Sequence, residues 1–193
     1  AWLDGLEEDR KACKQKIYDF NQLPPSRQSK EAPQMIKNIF GKTGENVWVE
    51  APFHCDYGWN IEVGENFYSN YNLTILDVGK VTCGKNVQIA PNVSIYTAGH
   101  PVHPDSRNSG YEYGIPVTVG DNVWIGGNTV ILPGVTVGSN VVIGAGSVVS
   151  KDIPDNTIAA GNPCKVIREI TDEDRIYYFK KQKFDDEAWE EVK

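Results

Sequence analysis

The sequence predicts a mostly β protein: a parallel β-helix preceded by two short helices and followed by a helical tail. Three observations carry that expectation. Aliphatic residues return at every sixth position through Val119, Ile125, Ile131, Val137, Ile143 and Val149. Gly or Ser directly follows five of these six. A second register, Val123, Thr129, Val135, Val141, Ser147 and Ile153, is filled by small or β-branched residues. No α-helix presents a period of six on one face, whereas the short strands of a β-helix return every sixth residue to an equivalent inward spot. Each buried Val or Ile then stacks on its counterpart one coil away, worth about 1.5–3 kcal/mol per side chain. The glycine after the inward residue is expected to permit the sharp corner between faces.

Residues 1–60 form the lead-in. Leu6, Cys13, Ile17 and Phe20 mark the apolar face of one helix, with Arg10, Lys11, Lys14 and Lys16 opposite; Ala32, Met35, Ile36, Ile39 and Phe40 mark a second, stopped at Gly41. Pro24-Pro25-Ser26 is the expected turn between them. The prism spans 61–170, because the repeat phase reaches back through Ile95, Ile89 and Cys83, and more loosely through Ile75 and Val63. Between Ile75 and Cys83 the spacing is eight, which predicts a bulge at Asp77-Val78-Gly79. Between Ile95 and Val119 the repeat gives way to an ejected loop over 99–116, and a solenoid that ejects a long loop usually does so for binding or chemistry. Asn162-Pro163 breaks the pattern, and 171–193 reads as an aromatic, acidic helical tail that covers the open end of the prism.

A chain of 193 residues has room for one domain and a real core. Hydrophobic residues at 40% and charged residues at 23% describe a soluble globular protein, and no apolar run approaches the roughly 18 residues of a membrane span. A net charge of −7 argues against nucleic acid as a partner, so any anionic ligand must meet a local basic cluster. The four cysteines, Cys13, Cys55, Cys83 and Cys164, show no C-x-x-C pair, and with no leader pattern they read as reduced thiols of a cytoplasmic protein.

Only His54, His100 and His103 offer imidazole chemistry, and two of them lie in the ejected loop. Imidazole near neutral pKa suits removal of a proton from an attacking hydroxyl or amine. Three histidines on a β-helix could instead hold zinc, but His54 precedes the repeat and the other two share one loop, so no metal is expected. Late in the chain Lys151, Lys165 and Arg168 form a basic grouping that could meet the phosphates of a nucleotide-containing ligand.

Together Asp56-Tyr57-Gly58, Asn60-Ile61, Asn66-Phe67-Tyr68-Ser69-Asn70, Ile75-Leu76-Asp77, Ala98-Gly99-His100-Pro101-Val102-His103, Trp124-Ile125-Gly126-Gly127, Gly144-Ala145-Gly146-Ser147-Val148-Val149 and Gly161-Asn162-Pro163 resemble the galactoside and maltose O-acetyltransferases over nearly the whole chain. The resemblance implies a left-handed β-helix, a homotrimer, and acetyl-CoA and a small sugar meeting in clefts between subunits. It implies that His100 is the general base and that Asn70 stabilises the tetrahedral transition state. Arg10, Asp56 and Asp77 fall at or near acceptor contacts. Gly127, Ala145, Ser150, Lys151, Lys165 and Arg168 match coenzyme A contacts; Gly127 stands where some galactoside enzymes have Ser, so an oxyanion donor there would be a backbone N–H. A further acidic acceptor-binding residue of the family falls at or before Ala1, and Asp4 is no convincing substitute. Asp56 resembles the maltose type and Gly-His-Pro-Val-His the galactoside type, which leaves both sugars open. The rival expectations are a same-fold acetyltransferase for an amine, antibiotic or serine, and a non-catalytic scaffold.

Overall fold

A computed structural model describes residues 5–192; Ala1 and Asp4 lie outside them. Two helices lead the chain, Leu6–Asn21 (α1) and Pro25–Ile39 (α2). Pro25 is the first residue of α2 rather than part of the turn, a position where its missing N–H costs nothing. Cys13, Ile17 and Phe20 of α1 and Ala32, Ile36 and Ile39 of α2 are buried. They close the lower end of the prism with Phe40, whose ring meets Phe53 and Phe67 edge-on at 5.5 and 6.5 Å. Asn21 ties α1 to the first coil, since its amide donates to the Phe53 carbonyl and accepts from the Phe53 N–H, both at 2.9 Å.

The prism winds through about six coils of parallel strands. The first is Val47–Val49 (β1), Phe53–Cys55 (β2) and Ile61–Val63 (β3); the second is Phe67–Ser69 (β4), Leu73–Leu76 (β5) and Val81–Cys83 (β6). Gln88–Ile89 (β7) and Ser94–Tyr96 (β8) begin the third, which ejects a loop between Ala98–Gly99 (β9) and Tyr113–Gly114 (β10) and resumes at Val117–Val119 (β11). Trp124–Ile125 (β12), Val130–Ile131 (β13) and Thr136–Val137 (β14) make the fourth; Val142–Ile143 (β15) and Val148–Val149 (β16) lead to Thr157–Ala160 (β17). The first face stacks β1, β4, β7, β12, β15 and β17, the second β2, β5, β8, β13 and β16, the third β3, β6, β11 and β14. Every aliphatic residue of the sixfold register from Val119 to Val149 is buried.

Three expectations need correction. The solenoid starts at residue 47, not 61: β1 already pairs with β4 and β2 with β5, but the long corner between β2 and β3 throws the first coil off the sixfold phase. Sharp corners are turned by asparagine rather than by the glycine that follows the inward residue. Asn66, Asn86, Asn122, Asn140 and Asn156 all sit at φ between 56° and 58°, the left-handed region that Asn tolerates better than most residues. Glycines such as Gly64 and Gly120 have ordinary φ and serve spacing, because an added Cβ would lie 2.7–2.8 Å from the backbone of the next coil. The tail is not one helix either: a 3-10 turn at Asp172–Ile176 leads into a hairpin, Tyr177–Phe179 (β19) with Gln182–Lys183 (β20), and only Asp186–Val192 is helical. The edge of the last coil is covered instead by Lys165–Glu169 (β18), antiparallel to β17. None of the helices is long and apolar enough to cross a membrane among the described residues.

Candidate active site at two edges of the prism

The ejected loop is a built structure. Strands β9 and β10 pair antiparallel at its base, and a short helix, Pro104–Asn108, forms its tip. His103 caps that helix, its Nδ1 accepting from the Asp105 N–H at 3.3 Å. His100 stands at the base, where the Tyr111 carbonyl lies 2.9 Å from its Nδ1. A carbonyl only accepts, so Nδ1 carries the proton and Nε2 of the neutral ring keeps a free lone pair. The His100 side chain is half exposed, and Glu112 brings a carboxylate oxygen to 4.0 Å from Nε2. Gly99 makes room for this arrangement, because an added Cβ would stand 2.5 Å from the Tyr113 ring.

Asp56, Asp77 and His100 follow β2, β5 and β8, so three successive coils bring them to the same edge, between the second and third faces. Asp77 is the support of this edge. Its carboxylate is fully buried and accepts the N–H groups of Asp56 at 2.9 Å, Tyr57 at 3.0 Å and Gly58 at 2.7 Å. The expectation of an acceptor contact at Asp77 is therefore corrected, since both oxygens point inward to hold the neighbouring turn. Burial pushes the Asp77 carboxyl up from its ordinary range, against the pull of those N–H donors.

The turn that Asp77 holds presents Asp56, whose Oδ1 lies 3.5 Å from Arg10 Nε. That separation is an ion pair without hydrogen-bond geometry, and Arg10 Nε is buried with no hydrogen-bond partner among the described residues. The guanidinium lies 5.1 Å above the Tyr57 ring, so Arg10, still partly exposed, reaches over the same surface. Burial raises the Asp56 carboxyl most strongly, Arg10 pulls it down, and the nearby negative charges of Asp77 and Glu112 raise it further. Trp59, half exposed and 5.6 Å from the Tyr57 ring, extends the same surface.

Asn70 follows β4 and lies on a different edge, between the first and second faces, with Gly127 after β12 and Ala145 after β15. Its Oδ1 accepts from the Tyr71 N–H at 2.7 Å, and its amide N–H groups donate to no partner among the described residues. Ser150 and Lys151 follow β16 on the His100 edge, and Lys165 and Arg168 lie on β18. Lys151 and Lys165 are exposed. Arg168 is engaged by Asp174 in a two-point pair at 2.6 and 2.7 Å, so the late basic cluster is partly neutralised within the chain. A cavity of about 770 Å³ lies against this pair and Lys180, Lys181 and Lys183, away from the residues that surround His100.

Comparison with known proteins supplies the context. Residues 116–151 match the family described as bacterial transferase hexapeptide (six repeats), and residues 1–44 match the maltose acetyltransferase hexapeptide capping motif. The chain is 54% identical over 180 residues to galactoside O-acetyltransferase of Escherichia coli (strain K12), covering 93% of this chain and 88% of that protein. Among solved structures it is similar to galactoside acetyltransferase in complex with coenzyme A, with a TM-score of 0.92 and 53% identity over 95% of this chain and 92% of that one. A maltose O-acetyltransferase from Clostridium difficile 630 matches with a TM-score of 0.86 and 52% identity, over 88% of this chain and 90% of the other.

Proposed function

The chain belongs to the galactoside and maltose O-acetyltransferase family of hexapeptide-repeat enzymes, and on that premise we propose that it transfers the acetyl group of acetyl-CoA directly to a sugar hydroxyl, in a homotrimer whose clefts join the His100 edge of one subunit to the Asn70 edge of the next. The observation that carries this reading is the free lone pair on His100 Nε2, fixed by the Tyr111 carbonyl beside a surface built from Arg10, Asp56 and Tyr57. Such a surface offers a sugar charged hydrogen-bonding groups and aromatic faces together.

In the reaction, Nε2 takes the proton as the sugar oxygen attacks the thioester carbonyl. Negative charge then develops on the carbonyl oxygen, and the amide donors of Asn70 suit it. The intermediate collapses by breaking the carbon–sulfur bond, and the proton held on Nε2 is available to the departing coenzyme A thiolate. No covalent acetyl-enzyme is needed, and Cys83 is wholly buried with its thiol pushed up to about 12. Among the coenzyme A-contact candidates, Lys151 and Lys165 are exposed and available to meet phosphates of the donor.

The neighbour-sharing arrangement is supported by the split of the site residues. His100 and Asn70 stand on different edges of one prism, and a threefold assembly turns a different edge of each copy toward its neighbour. The test is a panel of sugars, amines and antibiotics with acetyl-CoA, read by thiol release. Sugar-dependent release with no response to amines is expected; release only with amines contradicts the reading.

A further inference from the structure

Two of the four thiols meet. Cys13, buried on α1, and Cys55, half-buried at the end of β2, bring their sulfurs to 3.6 Å across 42 positions of sequence. Both are free thiols, and their contact joins the helical lead-in to the first coil. Two apposed sulfurs are what a sensor thiol and its resolving partner require.

The two thiols are not equivalent. A hydrogen bond from the Cys55 S–H pulls the Cys13 thiol below its ordinary value, against burial and the charges of Asp77 and Asp56 and with help from Lys16. Cys55 is pushed up by the same bond, by burial and by the negative charges of Asp77 and Asp56. Cys13 is therefore the sulfur that ionises first, and Cys55 holds its proton beside it. Because Cys13 is covered and Cys55 only partly open, the oxidant has to be small. Hydrogen peroxide meets that requirement.

We propose that Cys13 and Cys55 are a modification site at which hydrogen peroxide forms a reversible disulfide, and that this bond switches off use of the acceptor. The Cys13 thiolate attacks one peroxide oxygen, the O–O bond breaks, and the departing hydroxide takes up a proton as water, leaving a sulfenic acid. The Cys55 sulfur then attacks the Cys13 sulfur; the S–O bond breaks and the hydroxyl leaves with the Cys55 proton as a second water. Two thiols have lost two electrons and two protons, and one peroxide has become two waters. Bonding draws the sulfurs from 3.6 Å to about 2 Å. Arg10 lies one turn before Cys13 on α1, and Asp56 directly follows Cys55, so this movement shifts both partners of the ion pair at 3.5 Å. The effect on activity rests on the reading of Arg10 and Asp56 as part of the acceptor surface.

The test is peptide mapping of the purified enzyme before and after hydrogen peroxide, with kcat/KM for the sugar and coenzyme A affinity measured on the same samples. The oxidised enzyme is expected to yield a linked Cys13–Cys55 peptide and to lose about 10- to 100-fold in kcat/KM for the sugar, with coenzyme A affinity unchanged. Dithiothreitol should reverse both changes. Cys13→Ala should keep its activity through the same treatment; mapping the parent needs no variant, so a poorly folding Cys13→Ala leaves the test intact. Absence of the linked peptide overturns the proposal, as does a linked enzyme that acetylates as fast as the reduced one, or an activity loss that persists in Cys13→Ala. If the reduced enzyme acetylates no sugar, the sugar reading fails, and the switch on acceptor use fails with it even where the linked peptide forms.

Discussion

A backbone carbonyl decides which nitrogen of His100 can act as a base, and the kinetic expectations at the residue scale follow from it. Replacing His100 by Ala should lower kcat by about 10²- to 10⁴-fold while coenzyme A affinity, read by calorimetry, stays near that of the parent. His103→Ala should cost far less, because that imidazole caps the loop helix. Cys83 gives a stability test with a definite sign. Burial pushes its thiol up to about 12, above the roughly 8.5 of a free thiol. Between those values the unfolded chain has lost a proton that the folded chain keeps, so stability falls as pH rises, by up to about 1.4 kcal/mol per pH unit. Urea unfolding should show this slope in the parent and a shallower one in Cys83→Val; identical slopes would count against a buried neutral thiol. His100 drew notice in the sequence because it opens the long break in the repeat, whereas Asp56 was singled out only by the family resemblance. Glu112 was not legible, since a carboxylate in a polar loop carries no periodic signal. Asp77 was misread because the N–H groups it holds are about twenty positions away, and nothing local marks a carboxylate as internal.

The coils are kept in register by a ladder of asparagines. The side-chain amide of Asn46 donates to Asn66, Asn66 to Asn86, Asn86 to Asn122, Asn122 to Asn140 and Asn140 to Asn156, at distances between 2.8 and 3.3 Å. Each rung past the first also holds the left-handed corner. Asn122→Ala gives up two hydrogen bonds and a favourable corner residue, and should cost about 2–4 kcal/mol per chain. Asn122→Gly keeps the corner geometry and should cost less, so a lower melting temperature for Ala than for Gly is the expected order; the reverse would mean that the corner conformation contributes little. The sixfold aliphatic register made the strands readable, but the asparagines recur at irregular intervals of 16 to 36 residues because the ejected loop and the early corners shift the count. The tail misled for a related reason. Its aromatic spacing fits a helix, but Lys180 at φ 49° turns the chain into a hairpin.

At the scale of the whole molecule, the sequence-predicted site residues that follow coil strands divide between two edges of the prism, while Arg10 lies on α1 and Lys165 and Arg168 on β18, a division that linear order does not reveal because each coil visits every edge in turn. Coenzyme A is expected to raise the melting temperature, and the gain should shrink in high salt if Lys151 and Lys165 meet its phosphates; a gain independent of salt would place the stabilisation elsewhere. The assembly itself is tested by mixing. His100→Ala and Asn70→Ala are each expected to be nearly inactive, Asn70→Ala by about 10²- to 10³-fold. When the two are unfolded together and reassembled in equal amounts, a cleft formed between neighbours holds both native residues in about one case in four. Recovery of roughly a quarter of the parent's sugar acetylation is the result this account predicts. If the mixed assembly stays as inactive as its parents, His100 and Asn70 do not meet across subunits and the shared cleft is wrong.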